Sequence, residues 1–447
     1  MWIFLVKTSK KEYFHIFHAP YCYYCLIFIY IILFYNKTPK VFPLSQQFSP
    51  TLIYWKNLFK KSERRKYSFE YIQTVSKLMK FTCVQSELNE ALNNVVRAVP
   101  QKSTITALTG IKVSVNRNVL ELTGYDLEMG IQTKINIVSE DMGEFVFDAR
   151  LLCEIVRKMP SEEISFEIND NLSATIKSAN AEYKILAMSA DEYPTLPSYD
   201  TGDDFTLSQP LLKNMINQTI FAVAVTDNKP ILTGELFDIS DHNFNLAAID
   251  GFRLAVRTEK IETDNHYHFV VKARSLSEVS KLLKDDDDEK VILHVSRKHI
   301  IFEINGYMVI SRLLEGEFHN YKASIPQSHT TEIIVNTKDL IQSLERCLLL
   351  LNDKNKAPVR CIFNDGMVKI TCSTGMGKFN DEFPIDLTGS MVEIGFNCRY
   401  LLDALKATEA DKIRMQLSGG ISPMKLLPME GDAFTFLVLP QRLRSES

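Results

Sequence analysis

One supersecondary unit recurs three times at near-constant spacing, and this constrains the chain more than any other feature. Asp148-Ala-Arg-Leu-Leu opens a helix-like run to Met159, Lys272-Ala-Arg-Ser-Leu opens another to Leu283, and Asn397-Cys-Arg-Tyr-Leu opens a third to Thr408. Arg150, Arg274 and Arg399 are separated by 124 residues (150 to 274) and 125 residues (274 to 399). Each run follows a strand-like stretch (Phe145–Phe147, His268–Val271, Val392–Phe396) and precedes another (Ile164–Ile168, Val291–Val295, Ile413–Leu417). Such a period is too long for a solenoid and fits three whole domains. The arginine falls in the first helical turn, where the macrodipole is positive and a cation costs a few tenths of a kcal/mol up to ~1. Three repetitions of that cost point to an anion beyond those helix ends. The alternative is that the arginine stems merely cover apolar surface.

A chain of 447 residues, 45% hydrophobic and 24% charged, has room for several globular cores. Its formal charge of −4 averages two unlike parts. Residues 1–78 hold twelve Lys/Arg against Glu12, Glu63 and Glu70, a net of +9, which leaves −13 for the remainder. The last 369 residues are therefore not a generally basic nucleic-acid coat, and any positive field must be confined to one surface. Eight scattered cysteines, most inside apolar runs, read as reduced thiols acting as small hydrophobes. Cys22-Tyr-Tyr-Cys25 has no second pair nearby and is not taken as a metal or redox site.

Residues 1–78 form a separate extension. Ala19–Tyr35 is an aromatic and aliphatic run flanked by Lys10, Lys11, Lys37 and Lys40, a little shorter than the ~20 residues of a membrane span and without a signal-peptide cleavage site. It reads as a membrane anchor, a disordered appendage, or an upstream stretch translated ahead of a true start at Met79. The last is adopted, because composition changes abruptly there. Three units follow, at 79–203, 204–331 and 332–447. Each opens on an amphipathic helix, with Ser86, Ser208 and Thr337 expected as N-caps. The faces opposite the core lean to Lys, Arg, Asn and Gln. Asp191–Pro197 and Tyr199–Asp204 read as a linker, and Asp285–Glu289 as a solvated loop without metal. The expected class is α+β, with two helices on antiparallel sheets in each domain.

No phosphate-binding loop, dinucleotide fingerprint, zinc-protease motif or nucleophile elbow is present. Nine dispersed histidines form no metal-ligand pattern, and no nucleophile–base pair is visible from spacing. No catalytic residue, metal or cofactor is assigned.

The same units resemble the bacterial sliding clamp, the beta subunit of DNA polymerase III. Met79-Lys-Phe-Thr is similar to the family's start. Leu122-Thr-Gly-Tyr-Asp-Leu-Glu-Met, Leu232-Thr-Gly-Glu-Leu-Phe and Ala248-Ile-Asp-Gly-Phe-Arg-Leu-Ala-Val resemble its first two domains, and Met391–Asn397 and Leu439-Pro-Gln-Arg-Leu its third. The likeness runs in order from Met79 to Leu443. It implies a crescent-shaped protomer, closed head to tail by a second copy into a ring around duplex DNA of any sequence. The ring would act in replication as a cytoplasmic processivity factor without catalysis. The rival is a membrane-tethered scaffold anchored by 19–35. By similarity, Lys102, Arg150, Arg157, Lys229 and Arg274 contact DNA, and the internal repeat adds Arg399. The resemblance also implies a groove between domains two and three for short peptide motifs of polymerases, the clamp loader and repair proteins. Its positions are Leu232, Gly251, Phe252, Arg253, Leu254, His319, Tyr321, Leu437, Leu439, Pro440 and Gln441. Phe252, His319 and Gln441 depart from the family's usual His, Pro and Met. For Leu232, Leu254 and Leu439 plain core packing is the alternative.

Overall fold

The computed structural model describes residues 3–8, 11–16 and 79–443, apart from positions 161, 198–203, 227, 264 and 352–356. It divides into two units, Met1–Thr74 and Val75–Ser447. In the first, β1 (Ile3–Thr8) and β2 (Lys11–Ile16) pair as an antiparallel hairpin. The apolar run 19–35, the pair Cys22/Cys25 and the tail 444–447 lie outside the described residues.

In the second unit one pattern, strand–helix–strand–strand–strand, occurs six times, twice per domain. The first domain runs β3 (Met79–Val84), α1 (Gln85–Val95), β4 (Gly110–Asn116), β5 (Val119–Tyr125) and β6 (Met129–Asn136). It continues through β7 (Met142–Asp148), α2 (Ala149–Lys158), β8 (Glu163–Ile168), β9 (Ser173–Ser178) and β10 (Ala181–Leu186), followed by the two-residue β11 (Met188–Ser189). The second has β12 (Asp204–Ser208), α3 (Gln209–Thr219), β13 (Gly234–Ser240), β14 (Asn243–Ile249) and β15 (Arg253–Lys260). Its other half is β16 (Tyr267–Lys272), α4 (Ala273–Leu282), β17 (Lys290–Val295), β18 (His299–Ile304) and β19 (Tyr307–Leu314). The third has β20 (Thr331–Asn336), α5 (Thr337–Leu348), β21 (Val359–Asn364), β22 (Met367–Thr374), β23 (Gly377–Pro384) and a short β24 (Asp386–Gly389). It ends with β25 (Val392–Phe396), α6 (Cys398–Ala407), β26 (Lys412–Leu417), β27 (Met424–Leu427) and β28 (Phe434–Val438).

Within a domain the two halves exchange their first strands. β7 joins β4, β5 and β6, while β3 joins β8, β9 and β10, so two four-stranded antiparallel sheets result. Domains two and three repeat the scheme. Tight hairpins come from residue pairs that tolerate positive φ: Asn305-Gly306 at 51° and 82°, and Asp365-Gly366 at 47° and 73°.

The sheets continue across domain boundaries. β6 pairs with β19, and β15 pairs with β28, both antiparallel. In each case the last strand of one half-domain meets the last strand of another. Two last strands, β10 and β23, remain, and both are edges of their four-stranded sheets.

The helices cover the core side of the sheets. Leu88, Ala91, Leu92 and Val95 of α1, and Leu152, Ile155 and Val156 of α2, pack on Phe81, Phe147 and Phe166. The Phe81 and Phe166 rings stack at 4.6 Å. Apolar residues at helical spacing thus bury one face, while Asn, Lys and Arg keep the other in water.

Two expected caps are corrected. Ser208 does cap α3, accepting from Leu211 N. Ser86, however, lies inside α1, which begins at Gln85 without a side-chain cap. There Gln85 Nε2 bonds Val156 O of α2 instead. The third-domain cap is Asn336, which accepts from Asp339 N, not Thr337. The linker reading also needs correction at its start: Tyr193 is buried, donating its hydroxyl to Thr123 O at 3.1 Å.

Candidate functional site

The six described α-helices form one continuous row. α2 packs on α1, α4 on α3 and α6 on α5. The end of α1 reaches α4 through Arg97 and Glu278, 3.9 Å apart, and Asn94 bonds Tyr307 OH at 2.8 Å. α3 reaches α6 through Gln218, which donates to Thr408 O, and Asn214, which donates to Glu409. The row therefore runs α2–α1–α4–α3–α6–α5. Its members carry ten Lys/Arg against seven Asp/Glu, although the 369 residues from Met79 total −13. The positive excess lies on the helices and the negative excess on everything else.

Arg150, Arg274 and Arg399 each occupy the second position of the second helix of a domain, which recurs at every other place in the row. Arg150 and Arg399 are exposed, and Arg274 is half exposed. The anion sought beyond these helix ends is visible at Arg274: its guanidinium bonds the Asp126 carboxylate of the preceding domain and Arg97 O. At that position the arginine first joins two domains. Arg157 is exposed on α2, 2.5 Å from Glu154. Lys102 and Lys229 are exposed in the loops that follow the first helix of domains one and two. The arrangement spreads the six cations along the row and its loops rather than gathering them at one spot.

The residues that the resemblance assigns to a peptide groove lie around the β15–β28 junction. Asp250 Oδ1 accepts from Phe252 N at 2.8 Å and Arg253 N at 3.0 Å, closing a turn in which Gly251 has φ +89°. Arg253 is then locked: Nε on Asp250 at 3.0 Å, Nη1 on Asp403 of α6 at 2.6 Å, and its plane over the Tyr400 ring at 4.5 Å. Leu439 N donates to Phe252 O at 2.9 Å, which sets both side chains on the lip, and both are exposed. Below them lies an apolar cluster separate from the main core, with Leu236, Leu254, Val256, Phe318, Tyr321 and Leu437 buried and Leu232 half-buried against it. Leu254 and Leu437 are buried, as core packing would have them, whereas Leu232, Phe252, Leu439 and Pro440 offer surface.

Tyr321 is anchored from beneath by Asp238, whose Oδ2 takes the phenol at 2.7 Å and the Lys322 ammonium at 2.8 Å. Burial works to raise the Asp238 pKa, but those two donors outweigh it and hold the carboxyl below its ordinary range. Exposed His319 bonds Ser324 Oγ at 3.0 Å, and Gln441 N bonds Gly395 O, which turns the chain end back on domain three. Asp238, Asp403 and Tyr400 escaped the sequence reading, since nothing local ties them to residues 83 to 150 positions away. For Tyr400 a signal existed: it directly follows Arg399 in the repeated helix start.

Among the described residues no cluster of His, Cys, Asp or Glu is arranged to hold a metal ion, and no helix is long and apolar enough to cross a membrane. The described cysteines are free, and burial pushes the Cys83 and Cys361 thiols up to about 12, which suppresses their nucleophilicity.

Residues 79–197, 206–320 and 322–442 match, in order, the N-terminal, central and C-terminal domains of the DNA polymerase III beta subunit. The chain belongs to that family. The beta sliding clamp of Bacillus subtilis (strain 168) is 33% identical over 377 residues, covering 81% of this chain and all of that one. A crystal structure of the Bacillus subtilis sliding clamp aligns with a TM-score of 0.79 at 32% identity, covering 82% of this chain and all of its own. A Pseudomonas aeruginosa sliding clamp bound to griselimycin aligns with a TM-score of 0.76 at 25% identity, again over 82% and 100%. The second unit is thus three tandem clamp domains, and the protein is a sliding clamp of the replicative polymerase, a processivity subunit rather than a catalyst.

Proposed function

We propose that two copies close head to tail into a ring that encircles duplex DNA, with the helix row lining the hole. The observation that carries this is the strand accounting. Every domain boundary in the chain joins two last strands of half-domains, and β10 and β23 are left as unpaired edges. Pairing β10 of one copy with β23 of another repeats the same joint and removes both edges, which otherwise invite uncontrolled association. Exposed Tyr183 and Leu186 on β10, and Leu349 and Met376 beside β23, supply apolar surface for that joint.

Phosphate contacts release counterions and carry no base information. A thin set of cations among amides therefore holds DNA of any sequence weakly enough to slide. Lys102, Arg150, Arg157, Lys229, Arg274 and Arg399 are the residues assigned to it. The groove at the β15–β28 junction, from Leu232, Gly251 and His319 to Pro440 and Gln441, takes short peptides of the polymerase, the clamp loader and repair proteins. An apolar floor with a few polar anchors suits that mode. The compartment is the cytoplasm, where the replicating DNA of a bacterium lies.

The test is topological. Loaded by its cognate loader onto nicked circular plasmid, the full chain should remain bound through gel filtration and be lost when the plasmid is linearised. Equal retention on both forms would overturn the ring.

A further inference from the structure

We propose that the junction of domains one and two holds a second docking cavity, built on the same frame as the partner groove but with a polar floor. It would take an extended peptide anchored by a carboxamide side chain. The inference rests on the peptide reading of the first groove for its binding mode, and on the strand registers for its location.

The two junctions correspond atom for atom along the main chain. Asp126 Oδ1 accepts from Glu128 N at 3.0 Å and Met129 N at 2.7 Å, as Asp250 Oδ1 does from Phe252 N and Arg253 N. Leu127 takes φ +75° where Gly251 takes +89°. Arg312 N donates to Glu128 O at 2.8 Å, as Leu439 N does to Phe252 O. The β6–β19 register pairs Gly130 with Ile310, and the β15–β28 register pairs Leu254 with Leu437. A polar rim, Glu128 and Arg312, thus stands where the first groove has Phe252 and Leu439.

The floors differ in the same way. Lys112, Thr123 and Gln132 lie side by side across β4, β5 and β6, as Leu236, Ala247 and Val256 do across β13, β14 and β15. At the first junction these polar residues border an open cavity of about 380 Å³, walled by Leu196 and Met308. One wall is itself an extended segment, residues 193–197, fastened by the Tyr193 hydroxyl on Thr123 O. The frame already accepts one extended chain.

The floor's charges choose the anchor. Lys112 is held by Glu144 at 3.0 Å and Glu121 by Lys134 at 3.3 Å, so each is already neutralised. Gln132 Nε2 donates to Thr123 Oγ1 at 3.0 Å, leaving Gln132 Oε1 as an acceptor. A carboxylate or ammonium anchor would add an uncompensated charge to a floor whose own charges are already paired. A carboxamide adds no net charge and supplies an N–H donor for Gln132 Oε1.

The experiment uses the full chain and two N-acetylated, C-amidated pentapeptides, Ala-Gln-Ala-Leu-Ala and Ala-Leu-Ala-Leu-Ala, titrated by calorimetry. Leu439→Arg closes the first groove and should abolish Leu-peptide binding. In that background the Gln-peptide should still bind, and adding Gln132→Val or, separately, Met308→Arg on the half-exposed wall should weaken it at least tenfold. Absence of Gln-peptide binding to the Leu439→Arg chain, or binding that neither added change alters, overturns the second cavity. Failure of the Leu-peptide to bind the unmodified chain instead overturns the reading of the first groove.

Discussion

Glu235 lies wholly inside the second domain, with Thr219 Oγ1 2.8 Å from one carboxyl oxygen and no hydrogen-bond partner for the other. Burial pushes its pKa up to about 8, against the opposing pull of the Thr219 hydroxyl. The folded state therefore keeps a proton that the unfolded chain loses near the ordinary carboxylate pKa. Stability from this group is full at low pH and is lost as pH rises toward 8, with a slope approaching ~1.4 kcal/mol per pH unit. Glu235→Gln should remove that slope, which urea unfolding of both proteins between pH 5 and 9 will measure. Arg150 and Arg274 should also separate. Arg150→Ala should weaken retention on circular DNA and leave thermal stability unchanged. Arg274→Ala should lower both, because it also frees Asp126 from its ion pair. The two were indistinguishable in the sequence: both sit at the same helical position, and Asp126 is 148 residues away.

Helices and strands were the legible elements. Apolar spacing located the six described α-helices, and the βα repeat placed each second helix between the right strands. Capping was less legible, because Ser86 and Thr337 are good cap residues that lie at the second and first positions of their helices, while Asn336 does the capping at α5. At α6, Asn397 accepts from both Arg399 N and Tyr400 N. Asn397→Ala should cost about 1 kcal/mol in chemical unfolding and loosen the Tyr400 wall under Arg253. Strand exchange between half-domains was not legible at all. Pairing β3 with β8 rather than with β4 is decided by packing across the 78 residues (85–162) that separate them, which no local pattern encodes. Likewise the groove floor and the main core are both runs of Leu, Val and Phe, and only the sheet face that each occupies separates them. The free edges give a further test. Leu349→Asp, at a residue 80% exposed in the single chain, should convert a dimer to a folded monomer by sedimentation, with an unchanged circular dichroism spectrum.

Over the whole molecule, three sequence repeats became six structural ones, because helix-one and helix-two halves share a topology but not a sequence pattern. The charge separation follows the same division: cations gather on the helix row while the sheets and loops carry the acids. Each domain boundary is a hydrogen-bonded ladder, five residue pairs long at both β6–β19 and β15–β28. Those ladders, and not the peptide links between domains, supply the cohesion. A protease cut between Pro197 and Asp204 should therefore leave both fragments eluting together from a sizing column and parting only in denaturant. In such a molecule the covalent thread sets the order of assembly, and a seam between strangers is built no differently from a seam between neighbours.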